Sequence, residues 1–388
     1  MDFQLNADQL AIRDTVSKWL QEEWDTSERQ RALDAGPASI SNELWQQIID
    51  MGWIGISISE EHGGSGLDLL TSAMLAEEAA QVLLPSRLCT ALSSAYALDQ
   101  CQTETMLSLL ASHMSGQQFV SLAVDEANGD YGPQNNTTTA HLSDRAGVIS
   151  GRKILVPDYE CADYYLVAVR LSGTGALVKV PADSPGLTIT AMQRIDGQSV
   201  AELQLTEVPF TVADVLGGLD GSEKVLTRTY EFWTTLISAD LLGVMTRALE
   251  VTNAYAKERR QFDKPIGSFQ AVSHRLADVK VEEEVGRSLL YGACLALQEH
   301  PDEAAPQVSA AKAWLSDAAV RATDAALQLH GGIGYTWELD IHLYVRQARS
   351  NAVFLGDAAY HRTRIGTHIT DQLKSQTSEK QRHAGVQS

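Results

Sequence analysis

The chain is poor in basic residues. It has 30 Lys and Arg against 50 Asp and Glu in 388 residues, which gives a formal net charge of −20. Nucleic-acid binding needs clustered cations that neutralise phosphates, so this balance argues against a nucleic-acid partner. It leaves room for a small anionic ligand, because a local group of cations is enough to bind one.

Cysteine is also scarce. The four cysteines are scattered and form neither a C-x-x-C pair nor any other spacing typical of a metal site: Cys89, Cys101, Cys161 and Cys294. We therefore predict that the chain binds no metal. Free, buried thiols are typical of a reducing compartment, so we expect a cytoplasmic location.

Long apolar runs are missing as well. No run of about 18 apolar residues occurs, and the first five residues lack the basic and apolar regions of a signal peptide. We expect neither a membrane span nor a cleaved leader. At 44% hydrophobic and 21% charged residues, the composition is that of a globular chain of two or three domains.

The order of the apolar patterns predicts an α+β fold. Helical spacing covers residues 1–116, and short alternating runs separated by Gly, Pro, Asn and Asp cover 117–218. Helical spacing returns in four segments, 224–260, 268–299, 304–330 and 337–372. We predict an N-terminal helical domain (1–116), a middle antiparallel β-barrel or sandwich domain (117–218), a C-terminal four-helix bundle (219–373) and a disordered tail (374–388).

A glycine-rich turn follows the third segment of the predicted bundle. It runs from Gln328 through Gly331, Gly332 and Gly334, and Thr336 is placed to cap a following helix. Glycines let backbone N–H groups approach a ligand, and a helix N-terminus favours negative charge. The turn could seat a phosphate, although a plain turn is the commoner role of such a sequence.

Three motifs together resemble the acyl-CoA dehydrogenases over nearly the whole chain. The loop 60–66 (EEHGGSG) is similar to the family's P-E-x-x-G-G-x-G loop, with Ser59 in place of its proline. The run 255–270 (YAKERRQFDKPIGSFQ) resembles the signature between two bundle helices. The glycine turn followed by 340–346 (DIHLYVR) is the third motif.

The resemblance implies FAD held between the subunits of a dimer or tetramer, with an acyl-CoA thioester against the flavin. It assigns Arg259, Gln261 and Phe262 to the flavin's pyrophosphate and adenine half across a subunit interface. The turn at Gln328, Gly331, Gly332 and Gly334 would approach the same cofactor. Electron-transferring flavoprotein is the electron acceptor that the resemblance implies.

The sequence departs from the family at the catalytic base. Most members carry a Glu there, and the matching position in this chain is Leu355, which cannot take a proton. Some relatives place the Glu on the first bundle helix instead, and the matching position in this chain is Trp233. Among the nearby acids, Asp357 is the first candidate base and Asp240 the second, although a cap or an ion pair is the commoner role for each.

The β region departs too. Leu155 and Pro157 stand where the family's flavin-facing strand carries Trp and Thr, and 124–130 (VDEANGD) replaces T-E-P-x-x-G-S-D. A proline has neither an N–H nor a hydroxyl to donate to the flavin.

Two functions follow. The first is FAD-dependent α,β-dehydrogenation of an acyl-CoA in lipid or sterol side-chain catabolism, with a displaced base. The second is a non-catalytic partner in a heteromeric acyl-CoA dehydrogenase, because the chain resembles bacterial members that can form such pairs. A flavin oxidase or nitroalkane-type enzyme on the same fold is a third possibility without a positive feature in the sequence.

Overall fold

The computed structural model describes residues 5–24 and 40–385, and the side chains up to Lys374. Within these described residues, five α-helices come first: α1 (Ala7–Glu23), α2 (Asn42–Asp50), α3 (Leu69–Gln81), α4 (Arg87–Asp99) and α5 (Glu104–Met114). Side-chain caps fix three of their starts, since Asn6, Ser41 and Asp68 each accept a backbone N–H of the first turn. The N-terminal part is helical, as predicted.

The middle of the chain forms one curled sheet of seven strands: β1 (Val120–Ala123), β2 (Thr139–Ser143), β3 (Ala146–Pro157), β4 (Tyr164–Leu171), β5 (Thr174–Pro181), β6 (Leu187–Gln193) and β7 (Ser199–Thr211). The strand order is β1-β4-β2-β3-β7-β6, with β5 on the other side of β4. The prediction of a purely antiparallel sheet is wrong. β4 runs parallel to both β1 and β2, and β3, which precedes β4 in the chain, runs antiparallel to β2.

The C-terminal part is a helical bundle: α6 (Gly218–Glu258), α7 (Gln270–Glu299), α8 (Ala305–His330), α9 (Ile341–Val353) and α10 (Ala358–Gly385). A two-stranded hairpin, β8 (Arg260–Gln261) and β9 (Lys264–Pro265), joins α6 to α7. No described helix is long and apolar enough to cross a membrane.

Two features of the bundle differ from the prediction. The fourth predicted segment is not one helix but two, because residues 354–357 interrupt the helix between α9 and α10. Helix α10 continues to Gly385, into the tail predicted to be disordered, and residues 386–388 of that tail lie outside the described residues. Its Gln, Lys, Glu and Arg residues favour a helix, and no proline interrupts them. The domain borders stay predictions.

Helix α6 lies at the centre of the molecule. Every residue from 229 to 245 is buried, so this part of the helix is covered on all sides. Gly243 is needed for one of these contacts, because a Cβ atom there would lie 2.1 Å from the carbonyl oxygen of Glu77 on α3. The close approach joins the N-terminal helices to the bundle in one hydrophobic core.

Candidate active site

The break between α9 and α10 carries Leu355, at the position that the resemblance assigns to the catalytic base. We call residues 354–357, where φ changes from negative to positive, the reversal. Phe354 ends α9 in an extended conformation, Leu355 has φ of 58°, and Gly356 has φ of 104°. A left-handed conformation is rare for leucine and costs on the order of 1 kcal/mol. Leu355 is nevertheless fully buried, so the surrounding contacts must hold it there.

Side chains from three helices hold the backbone of the reversal. The Tyr230 hydroxyl donates a 2.5 Å hydrogen bond to the Leu355 carbonyl oxygen, and His361 Nε2 donates to the same oxygen at 3.1 Å. Lys312 Nζ donates to the carbonyl oxygens of Asn351, Ala352 and Gly356 at 2.9, 3.1 and 3.0 Å. The last carbonyls of a helix lack partners in the helix itself and carry negative partial charge, so a buried cation suits them.

Burial changes the pKa values of the groups that hold the reversal. It lowers the pKa of Lys312 to about 7, although the negative charges of Asp125 and Asp357 act in the opposite direction. Burial, and then the charge of Lys312, lowers the pKa of His361 to about 2. His361 is therefore neutral, and its Nδ1 faces the Ser309 hydroxyl at 3.2 Å.

Asp357, the first candidate base, lies in the reversal but has a structural partner. Its Oδ1 accepts the backbone N–H of Tyr360 at 2.8 Å. Its carbonyl oxygen accepts the N–H of His361, so Asp357 caps the N-terminus of α10. A carboxylate in this position is favoured by the helix dipole and acts as an ordinary N-cap.

Asp240, the second candidate, is buried in a polar network. Both of its oxygens accept Gln347 Nε2 at 2.9 Å, and Oδ1 also accepts Asn351 Nδ2 at 2.8 Å. Burial raises the pKa of Asp240 to about 6, and these hydrogen bonds oppose the rise. Arg194 continues the network, because it donates to Asn351 Oδ1 at 2.6 Å and pairs with Asp196 at 2.7 Å.

The structure also points to a carboxylate that the sequence did not single out. Asp125 lies in the loop after β1, and burial raises its pKa to about 6. A hydrogen bond from the Leu355 backbone and the charges of Lys153 and Lys312 act against that rise. The only signal in the sequence was the departure of the loop 124–130 from the family pattern.

A buried ion pair fixes this loop. Lys153 Nζ lies 2.7 Å from Glu126 Oε1 and 2.7 Å from Asn136 Oδ1, and it donates to the Val124 carbonyl at 3.1 Å. Burial acts to raise the pKa of Glu126, but Lys153 and the hydrogen bonds outweigh it and lower the pKa to about 2. The position of Asp125 is thus set by the ion pair between the adjacent Glu126 and Lys153 on β3.

The residues predicted to bind the cofactor lie together at one end of the bundle. The rings of Tyr255 on α6 and His330 on α8 stack with centroids 4.4 Å apart, which brings the two helix ends together. Arg259, Gln261 and Phe262 follow α6 and are exposed. Phe262 is 86% exposed at the tip of the β8–β9 hairpin, where it has φ of 52°.

The glycine turn lies beside this hairpin. Gln328, Gly331 and Gly332 are exposed, and a Cβ atom at either glycine would meet nothing within 4 Å, so the backbone is open to a ligand. Gly334 is instead buried against His330 and Leu327. The expectation that Thr336 caps the next helix is wrong. Its hydroxyl bonds back to the Ile333 carbonyl, and α9 begins at Ile341.

Helix α9 separates the glycine turn from the reversal. It has 13 residues, which corresponds to about 20 Å at the rise of an α-helix. The predicted cofactor residues therefore lie near one end of α9, and the predicted base region lies at the other end.

Leu155 and Pro157, which depart from the family pattern, lie at or next to a break in the register between β3 and β7. Leu155 has φ of 52° in an interruption of the β3–β7 register between Lys153 and Val156. The Pro157 carbonyl oxygen accepts the Ser121 hydroxyl at 2.6 Å. Neither side chain offers a polar group to a flavin.

The chain matches two family models. Residues 6–107 match the acyl-CoA dehydrogenase N-terminal domain, and residues 225–370 match the acyl-CoA dehydrogenase C-terminal domain. Acyl-CoA dehydrogenase FadE27 of Mycobacterium tuberculosis is 31% identical over 360 residues, covering 89% of this chain and 93% of that protein. This chain belongs to the acyl-CoA dehydrogenase family.

Solved structures agree with that assignment. A chain of the ChsE4–ChsE5 complex from Mycobacterium tuberculosis superposes with a TM-score of 0.87 at 29% identity, covering 95% of this chain and 99% of that chain. The Tcur3481–Tcur3483 steroid ACAD superposes with a TM-score of 0.87 at 27% identity and the same coverage. The family uses FAD, so FAD is the cofactor to be tested against the residues present.

The exposed end of the bundle fits such a cofactor. Arg259 is exposed and forms no ion pair with the described residues, so its guanidinium is available to a pyrophosphate. Phe262 offers an open ring, and the glycine turn offers backbone N–H groups. The part of the site around Leu155, Pro157 and Asp125 fits a flavin ring less well, because the donors of the family pattern are missing there.

Proposed function

We propose that this chain is one subunit of a FAD-dependent acyl-CoA dehydrogenase in which a homologous subunit supplies the carboxylate that removes the α proton. The observation that carries the proposal is the buried Leu355 at the reversal. α-Proton abstraction needs a base within reach of the substrate, and a leucine side chain cannot serve. The two other candidates, Asp240 and Asp357, are engaged in the polar network and in the helix cap.

The exposed cofactor residues support the assembly. Arg259, Gln261 and Phe262 point away from the core and, with the exposed Gln328, Gly331 and Gly332, would contact a flavin held by the partner subunit, whereas the buried Gly334 would only shape the turn. When bound, that flavin takes up the hydride that leaves the β carbon of the acyl group. The contribution of this chain is to bind and orient the adenine and pyrophosphate half, for which exposed donors and an open backbone are sufficient.

The two similar structures described above are named as pairs of proteins, which supports a heteromeric assembly for this chain. The steroid name of one of them supports a bulky acyl group, such as a sterol side-chain CoA ester. Electron-transferring flavoprotein is the acceptor that family membership favours. We propose the bulky acyl group and this electron acceptor for the present chain. The predicted domain borders at 116, 218 and 373 are part of the same proposal.

The experiment is to express the chain alone and together with a homologue that keeps Glu at the position of Leu355. Flavin content and bleaching of the flavin absorbance are then measured with straight-chain and sterol side-chain acyl-CoAs. The proposal expects flavin and bleaching only in the co-expressed assembly, and loss of bleaching when the partner's Glu is changed to Gln. Stoichiometric FAD and full bleaching in the chain alone would overturn it.

A second candidate function is favoured by Asp125. A chain that catalyses on its own needs a carboxylate of raised pKa near the reversal, and Asp125 has a pKa of about 6 and faces the Leu355 backbone. The variant Asp125→Asn distinguishes the partner subunit from an enzyme that catalyses on its own. Bleaching by the chain alone that is lost in this variant would establish the single-chain enzyme, whereas an assembly unaffected by it supports the partner role.

A further inference from the structure

A surface cavity of about 440 Å³ lies next to the reversal. Its walls come from the loop after β1, the first part of α6, the start of α8 and the first turns of α10, and they include Tyr131, Thr227, Ala305 and Arg364. Tyr360 also lines this cavity, and the same residue packs on the reversal behind it. Whatever enters the cavity therefore meets Tyr360 before it can meet Leu355.

Tyr360 is fitted between two glycines. A Cβ atom on Gly132 would lie 2.0 Å from the Tyr360 hydroxyl oxygen, and a Cβ atom on Gly356 would lie 2.4 Å from Cδ1 of the same ring. Both glycines have positive φ, 100° and 104°. The ring thus lies directly on backbone from the loop and on backbone from the reversal, with no side chain between them.

Two further tyrosines extend this contact. The ring of Tyr131 lies 5.5 Å from that of Tyr360, on the side of the loop. Tyr230 is fully buried on the inner side and donates its hydroxyl to the Leu355 carbonyl oxygen. The Arg364 guanidinium lies 5.8 Å from the centroids of both the Tyr230 and the Tyr360 rings and pairs with the buried Glu231.

We propose that Tyr131, Tyr230 and Tyr360 form a barrier between the surface cavity and the reversal, so that an acyl thioester entering this cavity does not reach Leu355. We call these three residues the tyrosine barrier. The Tyr360 ring has backbone neighbours on two sides, so opening a path requires this ring to leave its place between the glycines. The barrier is a property of this chain alone and stands with or without a partner subunit.

Thiol accessibility tests the barrier. Leu355→Cys reports on the reversal and Thr367→Cys on the exposed cavity wall, both in a Cys161→Ser background because the three other cysteines are buried. The probe is the mixed disulfide of CoA with 2-thiopyridine, which transfers CoA to a thiolate and releases pyridine-2-thione. We expect Cys at 355 to react at least ~100-fold more slowly than Cys at 367, because its reaction requires local opening.

Removing the ring then provides the decisive comparison. Adding Tyr360→Ala to Leu355→Cys is expected to raise its rate at least ~10-fold, whereas the matched change Tyr159→Ala, at the β3–β4 turn, leaves it unaltered. Equal rates for Cys at 355 and at 367 without Tyr360→Ala would overturn the barrier. So would a rate that does not respond to Tyr360→Ala.

A second measurement keeps Leu355 in place, because a cysteine there removes a buried side chain. Hydrogen exchange of the segment 351–357 is compared between the original chain, Tyr360→Phe and Tyr360→Ala. The barrier predicts slow exchange in the first two proteins and faster exchange in Tyr360→Ala. Identical exchange in all three contradicts it, and this outcome does not depend on the flavin content that tests the proposed function.

Discussion

The hydroxyl of Tyr230 on α6 donates a 2.5 Å hydrogen bond to the carbonyl oxygen of Leu355, 125 residues further along the chain. Both groups are fully buried. This bond joins the central helix to the one residue of the reversal whose backbone is strained. A strained conformation persists only when its surroundings hold it, so the stability of the reversal depends on partners far away in the sequence.

Tyr230→Phe tests this dependence. The variant keeps the ring and its packing but removes one of the two donors to the Leu355 carbonyl, while His361 remains. We expect a loss of about 1–2 kcal/mol in the free energy of unfolding, measured by denaturant titration. Tyr159→Phe, whose hydroxyl bonds to the exposed Glu160, is the control and should change little. Equal stability of the two variants would contradict a holding role for Tyr230.

The break between α9 and α10 shows why part of the site was not predictable. The sequence around 354–357 contains a single glycine between good helix segments, and the helical spacing continues through it. The conformation is decided by Lys312 and Tyr230, which contact the reversal from other helices. Contacts of this kind have no local signature, so propensity alone predicts one helix.

The glycine turn and the hairpin at the predicted cofactor end could be predicted because each depends on local sequence. The turn at Gly331 and the run around Arg259 are short motifs, and each places its backbone without distant partners. Asp125 is the opposite case. Its raised pKa arises from burial, and the hydrogen bond from the Leu355 backbone opposes the rise; no spacing in the sequence reports either effect.

The variant Asp240→Asn tests whether Asp240 is a structural carboxylate or the catalytic base. The oxygens of Asp240 accept the amide groups of Gln347 and Asn351, and an asparagine would turn one of its own N–H groups towards these donors. We expect about 2 kcal/mol lower stability in thermal or denaturant unfolding, with substrate-dependent flavin bleaching of the assembly retained. An equally stable variant that has lost bleaching would instead identify Asp240 as the base.

Glu78 on α3 provides a prediction about pH. Burial, and then the charge of Glu77, raises its pKa from 4.5 to about 7. Between these two values the folded chain binds more protons at Glu78 than the unfolded chain, so its contribution makes the free energy of unfolding fall as the pH rises.

Glu78→Gln removes that contribution. Between pH 4.5 and pH 7.5, the free energy of unfolding of the variant should rise by about 2–3 kcal/mol relative to that of the original chain, measured by urea titration at each pH. The matched change Glu22→Gln, at an exposed ion pair with Lys18, should follow the original chain at both pH values. A Glu78→Gln difference that does not vary with pH would mean that Glu78 has the same pKa in the folded and unfolded chains.

Two neighbouring arginines test the contact with the cofactor. Arg259 is exposed at the end of α6 without an ion pair among the described residues, while Arg260 donates to the Asp263 carbonyl at 2.6 Å within the hairpin. If Arg259 holds a pyrophosphate, Arg259→Gln removes a charge-assisted hydrogen bond, so the assembly should retain flavin at least ~10-fold more weakly. Arg260→Gln changes the net charge equally and loses only the hairpin contact. Flavin dissociation on dilution, monitored by fluorescence, should therefore be faster in Arg259→Gln and unchanged in Arg260→Gln. The reason is that a positioned guanidinium binds the phosphates, whereas the overall charge of the helix end does not.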